Sequence, residues 1–433
     1  MTGPIWQHRP SNGSLEPNRD RSSRRSVIKS FCLDHRFVVE VRVCVIAPFG
    51  LHEDRGEAIH MREVLEEMAR RSHSITYIGL GQRPSRSSSV REYAVPFPRI
   101  RRIWWPMFAV VSVLYGAFLD LAYGFDLFYF RDIVTPFFAE ILLRAPFGKA
   151  VVIEVNGIFS EEIVRIGGLG RKISGLIRRF EKHVLRNVDL CVCVCEWLAR
   201  EVITRGVDPS KVILMPNGVN PRAFDLDNSG SRAIEKYALA SRKVIVFVGS
   251  FTGQHNVSLL INATKLVTER RSDVKLMLVG DGPTRKNLEA LVKYQGIQHV
   301  VVFTGRVPHE KVPELLAASH VTVVPLTRTT TVQEMIPLKI LEYWAMKKPV
   351  VTTRTGVDGI PEAHDGENVL IVEEDARSMA EGILSVLGDE RLANKLGENG
   401  RKLIEERYNW ENIVSQTLPI LEEKLSAQGR LVG

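Results

Sequence analysis

Two glutamates eight positions apart, Glu334 and Glu342, are the residues of this 433-residue chain best suited to chemistry. Pro337 lies between them and fits the first turn of a helix, where a missing N–H costs nothing, and the apolar run after it predicts a helix over residues 337–346. Glu334 then lies in the loop before the helix, and Glu342 one to two turns inside it. A helix N-terminus is a natural phosphate site, and Lys339 adds a positive charge there. This layout matches a sugar, a diphosphate and a ribose in a row.

The pattern resembles the E-x7-E signature of retaining glycosyltransferases of family 4, also called glycosyl transferases group 1. The resemblance runs from about Val41 to the region of Trp410 and includes the segment Pro216-Asn217-Gly218. It implies an α/β protein of GT-B fold, in which two Rossmann-like, doubly wound parallel-sheet domains face a central cleft. It also implies retaining, metal-independent transfer from a UDP- or GDP-sugar, which is a co-substrate, with no cofactor.

The resemblance assigns roles to individual residues. It implies that Glu334 holds the sugar and its developing positive charge, and that Glu342 holds the ribose hydroxyls. Further donor-binding residues are expected in the second half of the chain, namely Gly249, Ser250, His255, Gly280, Gly282, Arg306, Val307, Pro337, Leu338 and Lys339.

The chain departs from the family pattern at three of its expected site residues. The family usually has an Arg after the first glycine and a Lys at the following helix entry, where this chain has Ser250 and His255. Many relatives have a catalytic-site histidine near Asn156, which we expect at the catalytic centre. Asn can hydrogen-bond a sugar hydroxyl but cannot shuttle a proton.

Composition is that of a soluble globular protein, with 45% hydrophobic and 25% charged residues. The net charge of +8 suits an anionic substrate, an anionic membrane surface or nucleic acid. No nucleic-acid recognition motif accompanies the basic clusters, so we predict no nucleic-acid partner. Five cysteines without C-x-x-C spacing favour a reducing compartment, which predicts a cytoplasmic protein.

Alternating strand and helix patterns predict two domains. The predicted boundaries are a disordered basic tail at 1–37, an N-terminal Rossmann-like acceptor domain at 38–224, a linker at 225–232, a C-terminal Rossmann-like nucleotide-sugar donor domain at 233–408, and a C-terminal helix at 409–426 that crosses back to the N-terminal domain.

The uncharged run at residues 103–119 has three interpretations. It is a buried helix of the first domain, an interfacial segment with Trp104 and Trp105 at the lipid headgroups, or a transmembrane helix, for which it is slightly short and interrupted by Pro106. The second interpretation predicts peripheral attachment to the inner face of a membrane.

The sequence thus predicts a glycosyltransferase acting on a glycan, lipid-linked or small-molecule acceptor, as in polysaccharide biosynthesis for the cell envelope. A sugar-nucleotide epimerase of the same architecture would use the same donor without an acceptor. A catalytically inactive binding scaffold is the other alternative, favoured by the three departures at Ser250, His255 and Asn156.

Overall fold

The structure, a computed structural model, describes residues 40–71, 73–80, 89–95, 104–167, 171–224, 230–328 and 334–431. Residues 39–433 belong to one compact unit. Within the described ranges the chain forms two sheets, and we call the parts around them the first and the second domain. The predicted disordered tail at 1–37 and residues 225–229 of the predicted linker lie outside the described residues.

The first sheet has seven parallel strands in the order β3-β2-β1-β4-β5-β6-β7. The strands are β1 (Arg42–Ile46), β2 (Ser74–Leu80), β3 (Val90–Val95), β4 (Leu127–Phe130), β5 (Ala150–Val155), β6 (Leu190–Cys193) and β7 (Val212–Leu214). The helices of this domain are α1 (Gly56–Arg70), α2 (Trp104–Tyr123), α3 (Thr135–Ala139), α4 (Ala145–Phe147), α5 (Phe159–Gly167), α6 (Arg171–Asn187) and α7 (Glu196–Thr204), with a π-helical turn at Glu140–Arg144 between α3 and α4.

The second sheet has six parallel strands in the order β10-β9-β8-β11-β12-β13. The strands are β8 (Lys243–Val248), β9 (Val274–Val279), β10 (Val301–Gly305), β11 (Val321–Val324), β12 (Val350–Thr353) and β13 (Leu370–Val372). The helices are α8 (Ser231–Lys236), α9 (Val257–Arg270), α10 (Arg285–Tyr294), α11 (Val312–Ala317), α12 (Leu338–Ala345), α13 (Ala376–Gly388), α14 (Glu390–Glu406) and α15 (Trp410–Ala427).

Both sheets are buried on both faces, which explains the apolar strands. β4 and β5 are buried along their whole length, as expected of parallel strands covered by helices on either side. Each sheet separates two apolar clusters of core residues. The expected GT-B architecture of two parallel-sheet α/β domains is therefore confirmed.

The last helix, α15, leaves the second domain and packs on the first. Trp410 and Leu421 belong to the core cluster that contains Met61 and Leu65 of α1. The chain crosses between the domains beside the other connection, where the Val219 N–H donates to the carbonyl of Tyr408 at 2.9 Å. The two connections therefore run next to each other.

Helix α2 is only half embedded. Phe108, Val113 and Leu119 are buried against the first sheet, whereas Phe118 and Leu121 are exposed. Among the described residues α2 is the one helix long and apolar enough to cross a membrane, and 33% of its most apolar stretch is buried.

Candidate active site

The second-domain side of the candidate site is built around the first turn of α12. The helix begins at Leu338, so Pro337 is the residue that precedes it and not, as predicted, a residue of its first turn. Lys339 follows, and its ammonium nitrogen is buried with no hydrogen-bond partner among the described residues. Lys339 Nζ lies 4.6 Å from the centre of the Phe247 ring.

Burial changes the charge that the sequence assigned to Lys339. Removal from water lowers the pKa of Lys339 to about 7, although the negative charge of Glu342 opposes the shift. Near neutral pH the unliganded protein therefore carries only part of a full positive charge at Lys339. Negative charge brought next to this nitrogen would raise the pKa again.

Gly249 leaves room for Lys339 at the end of β8. Its φ of +147° lies in the region that favours glycine, and a Cβ there would lie 2.7 Å from Lys339 Nζ. The end of β8 and the first turn of α12 therefore lie against each other, with Lys339 Nζ buried between them.

The next two glycines serve backbone packing. A Cβ on Gly280 would lie 2.0 Å from the carbonyl oxygen of Gly249, and one on Gly282 would lie 2.4 Å from that of Phe251. The ends of β8 and β9 thus lie backbone against backbone. Donor contact by Gly280 and Gly282 stays a prediction.

His255 is neutral at neutral pH in the unliganded protein. Its Nδ1 is hydrogen-bonded to the carbonyl oxygen of Ser250, which can only accept, so Nδ1 carries the proton. Burial and then the charge of Lys339 lower the pKa of His255 to about 4. Its Nε2 is consequently an acceptor in this state, and donor binding by His255 stays a prediction. The Ser250 side chain is exposed beside it.

Glu342 is held by a histidine that the sequence analysis did not identify as a partner. Its Oε1 lies 2.7 Å from Nε2 of His309, in the turn after β10. Burial lowers the pKa of His309, but the hydrogen bond and the charge of Glu342 together outweigh burial, so the pKa of His309 lies above its ordinary value. The backbone N–H of His309 donates to Asp54 of the first domain at 3.2 Å. Glu342 is therefore hydrogen-bonded to a residue whose backbone contacts the first domain.

Two further predicted donor residues lie in the same turn. Arg306 is exposed at the end of β10. Val307 packs against the core cluster that includes Ile340 and Tyr343 of α12. The structure therefore places Val307 against α12, whereas Arg306 is exposed directly after β10.

Glu334 lies at the other end of the motif, in a strained backbone. Its φ of +48° is a left-handed conformation that costs a non-glycine residue about 1–2 kcal/mol. Its carboxylate is hydrogen-bonded to the guanidinium of Arg200, on α7 of the first domain. Arg200 also donates to Glu196 at 3.3 Å. In the unliganded protein Glu334 is thus paired across the cleft and not free.

A buried carboxylate organises the first-domain side of the cleft. Glu154, at the end of β5, accepts a hydrogen bond from Tyr129 at 2.7 Å and lies 3.0 Å from His60 and 3.4 Å from Arg131. Burial alone would raise the pKa of Glu154, but Arg131, His60 and Tyr129 outweigh it and hold the pKa well below its usual range. Arg131 also donates to Oδ1 of Asn156 at 2.9 Å. The side chain of Asn156 is therefore positioned by this buried network.

The same network reaches the second domain through Asn217. Nδ1 of His60 donates to Asn217 Oδ1 at 2.9 Å, and Asn217 Nδ2 donates to the carbonyl of Ile336 at 2.9 Å. Ile336 lies between Glu334 and α12. His60 had no recognisable motif in the sequence, whereas Asn217 stands in the Asn-Gly segment that carried part of the family resemblance.

The cleft itself has a volume of about 510 Å³ and is lined by both domains. Trp104 and Trp105 line it together with Arg131 and Asn156, and Leu338 lines it from the second domain. The interpretation that placed both tryptophans at lipid headgroups is therefore wrong for these side chains.

The aromatic wall contains an unpaired acceptor. Trp105 donates to Oδ1 of Asp132 at 3.4 Å and packs edge-on against Phe159 at 5.5 Å. Oδ2 of Asp132 is buried without a partner in the described part of the chain. The tryptophans give this part of the cleft an apolar wall, which suits a molecule with a flat apolar face.

Comparisons with known proteins agree with the geometry. A family model described as Glycosyltransferase Family 4 matches residues 55–223, and one described as Glycosyl transferases group 1 matches residues 242–389. An uncharacterized glycosyltransferase of Methanocaldococcus jannaschii is 28% identical over 393 residues, which cover 87% of this chain and 96% of that protein. The N-acetyl-alpha-D-glucosaminyl L-malate synthase of Bacillus anthracis is 35% identical over 179 residues, which cover 41% of this chain and 44% of that protein.

Solved structures share the fold at low sequence identity. Sucrose-phosphate synthase from Thermosynechococcus elongatus superposes with a TM-score of 0.72 at 20% identity, over 90% of this chain and 100% of that one. HepE from Anabaena, solved in complex with UDP-glucose, gives a TM-score of 0.69 at 15% identity, over 88% of this chain and 99% of that one. The chain is a member of glycosyltransferase family 4, the glycosyl transferases group 1, and an enzyme of the hexosyl-transferring class with a GT-B fold.

Proposed function

We propose that this protein transfers a hexosyl group from a nucleotide sugar, with retention of configuration at the anomeric carbon. The observation that carries the donor assignment is Lys339, whose buried ammonium nitrogen has no hydrogen-bond partner among the described residues and lies beside Gly249 at the start of α12. A diphosphate would supply the partner that this nitrogen lacks. The free N–H groups of the first turn of α12 would add hydrogen bonds to the same phosphates.

The two glutamates then take different roles. Diphosphate departure leaves an oxocarbenium-like sugar, which a carboxylate stabilises. Glu334, in the loop before α12, would hold the sugar hydroxyls and this charge once it parts from Arg200. Glu342, a turn inside α12, would hold the ribose hydroxyls.

The donor class is proposed as a UDP- or GDP-sugar. HepE was solved with UDP-glucose, and a relative from Mycolicibacterium smegmatis, 28% identical over 219 residues, is named a GDP-mannose-dependent mannosyltransferase. The acceptor is proposed to enter the first-domain side of the cleft, where Trp104 and Trp105 offer an aromatic wall beside Asn156. A sugar ring of a glycan or lipid-linked acceptor of cell-envelope polysaccharide biosynthesis, or a small molecule, could stack on this wall and bind Asn156 through a hydroxyl group.

Retention of configuration, independence of metal ions and the need for no cofactor rest on the family resemblance. Cytoplasmic location is proposed from the cysteines, since the four described ones are buried free thiols. An epimerase or an inactive scaffold would share the donor site but would not transfer sugar.

The test compares Glu334→Gln and Glu342→Gln with wild type. Thermal shift first identifies the donor, since a ligand at 100 times its dissociation constant stabilises the fold by about 2.7 kcal/mol. Glu334→Gln should lower kcat by about a hundredfold or more, because it removes stabilisation of charge in the transition state, and should leave diphosphate affinity nearly intact. Glu342→Gln should mainly weaken binding of donor and diphosphate.

Exposed Glu398 on α14 provides the matched control, and Glu398→Gln should leave both quantities unchanged. Proton NMR of the product reports the anomeric configuration. Full turnover in Glu334→Gln would refute its assignment. Donor binding without transfer would indicate a scaffold, and a new sugar formed from the donor alone would indicate an epimerase.

A further inference from the structure

The outer side of α2 forms an apolar stripe that nothing in the described structure covers. Its exposed side chains recur at intervals of four and three residues, which places them along one side of the helix. They are Met107, Val111, Leu114, Phe118 and Leu121, with exposed fractions of 65% for Phe118 and 87% for Leu121. The one charged residue of α2, Asp120, is paired with Lys149 at 2.8 Å.

The helices beside α2 extend this apolar face. Ile141 and Phe147, in the segment that follows α3, and Leu176, on α6, are all exposed. These segments contact one another, since α2 packs on α3 and Phe137 of α3 lies 5.3 Å from Phe180 of α6. Eight of the ten large apolar side chains exposed in the described residues thus lie on one layer of helices. Concentration on one layer marks an interaction surface, whereas scattered exposure does not.

Basic side chains lie on the same layer of helices as the apolar stripe, on α6, which contacts α3. The outer side of α6 carries Arg178, Arg179, Lys182 and Arg186. The one acidic residue of α6, Glu181, turns inward and accepts a hydrogen bond from the hydroxyl of Ser160. The outward charge of α6 is therefore positive.

We propose that this face, formed by the outer sides of α2 and α6, binds an anionic lipid bilayer. Large apolar side chains enter the boundary of the acyl chains while neighbouring lysines and arginines bind anionic headgroups. In a symmetric dimer the same face of two copies would meet, so the lysines and arginines of one copy would lie close to those of the other. Repulsion between these charges disfavours such a dimer. The bilayer satisfies both the apolar and the charged part of the surface.

Helix α2 lies in the plane of this bilayer and does not cross it. Its inner side, with Phe108, Val113 and Leu119, belongs to the core of the first domain, and crossing would strip that core from the sheet. At its N-terminal end, Trp104 lines the cleft. The helix therefore connects the lipid surface with the active-site cleft, which suits a lipid-linked acceptor; this last step rests on the proposed function, whereas bilayer binding does not.

The experiment measures sedimentation of the full chain with vesicles, in the absence of donor and acceptor, so that its outcome is independent of catalysis. Vesicles of phosphatidylcholine with phosphatidylglycerol should bind the protein at low salt, binding should fall as salt rises, and phosphatidylcholine alone should bind it weakly. Phe118→Glu/Leu121→Glu should reduce the partition coefficient by about tenfold or more, because two inserted apolar side chains become charged. Arg178→Gln/Arg179→Gln should reduce binding at low salt and flatten its salt dependence.

Tyr294 provides the matched control, since it is also 87% exposed but lies on α10 of the second domain. Tyr294→Glu should bind vesicles like wild type, and circular dichroism should show that every variant is folded. Equal partitioning of wild type and Phe118→Glu/Leu121→Glu would overturn the proposal. So would a wild-type dimer in sedimentation equilibrium that Phe118→Glu/Leu121→Glu converts to a monomer, because the face would then join two copies.

Discussion

Replacement of Lys339 by methionine should affect the unliganded and the liganded protein in opposite directions. In the unliganded protein Lys339 Nζ is buried and has no hydrogen-bond partner. A buried donor without a partner costs about 1–3 kcal/mol, and methionine fills similar space without a polar atom. Lys339→Met should therefore raise the melting temperature of the free protein. The same change should weaken diphosphate binding by about tenfold or more, since a charge-assisted contact contributes about 1.5–3 kcal/mol.

The pH dependence of the unfolding free energy tests the lowered pKa of Lys339. The pKa of Lys339 is about 7 in the folded protein and near 10.5 when the chain is unfolded. Between these values the unfolded state holds a proton that the folded state lacks, so this group makes wild-type stability rise with pH. Burial of Lys339 therefore destabilises the folded protein most below about pH 7, and this destabilisation disappears as the pH approaches 10.5. Chemical denaturation across this range should show that contribution in wild type and lose it in Lys339→Met.

Binding of a diphosphate should draw a proton to the same nitrogen. At pH 8 only about one Lys339 in ten is charged in the free protein, and the phosphates are already fully ionised. Negative charge beside Nζ raises the pKa, so binding should take up close to one proton. Affinity should then fall with rising pH, by up to about tenfold per unit.

Calorimetry at pH 8 in buffers of different ionisation enthalpy measures that uptake directly. Lys339→Met should abolish it. Lys286→Met, which removes an exposed lysine of α10 in the same domain, should leave it unchanged. Equal uptake by wild type and Lys339→Met, or an unchanged diphosphate affinity, would refute the assignment of the phosphate to Lys339.

Three further changes test neighbouring parts of the site. Arg200→Met should free Glu334 and lower unfolding free energy by less than about 1 kcal/mol, since both side chains are partly exposed; denaturant titration would contradict this if the loss were several-fold larger. His309→Gln should remove the titratable partner of Glu342 and make the KM for donor less dependent on pH between 6 and 8. An unchanged pH dependence of this KM would show that Glu342 acts without His309. Gly249→Ala should destabilise the protein by about 1–3 kcal/mol and weaken diphosphate binding, because its φ is positive; Gly388→Ala, where a Cβ meets nothing within 4 Å, is the control.

The fold was predictable where burial dictates composition. Strands such as β4 and β5 are apolar throughout because helices cover both faces, and a continuous apolar run predicts such a strand. β3 and β7 lie at the two edges of the first sheet and were not predictable in this way. β3 carries Arg91 and Glu92, and β7 has three residues, as expected of edge strands that face water. Neither therefore stands out as an apolar run.

The site was predictable in position but not in electrostatic state. The motif identified Lys339, yet its lowered pKa depends on Phe247 and Gly249, about ninety residues earlier in the chain. The partner of Glu334, Arg200, is 134 residues away in sequence. Spacing within a motif reports which residues share a helix, and it contains no information on which distant side chains desolvate or neutralise them. Trp104 and Trp105 likewise suggested contact with lipid headgroups, whereas Trp105 turns inward to Asp132.

The contacts between the domains converge on the segment that holds the donor residues, and this determines how the cleft responds to a ligand. Arg200 binds Glu334, Asn217 binds the carbonyl of Ile336, and Asp54 accepts from the turn whose His309 holds Glu342. An exposed ion pair is worth about 0–1 kcal/mol, so a sugar can replace Arg200 at little cost. The backbone of Glu334 stays fixed meanwhile, since Gly359 packs against its carbonyl. If Glu334 binds the sugar as proposed, Arg200 would hold its carboxylate at the cleft until substrate arrives, and the three contacts join the first domain to both ends of the segment from Glu334 to Glu342.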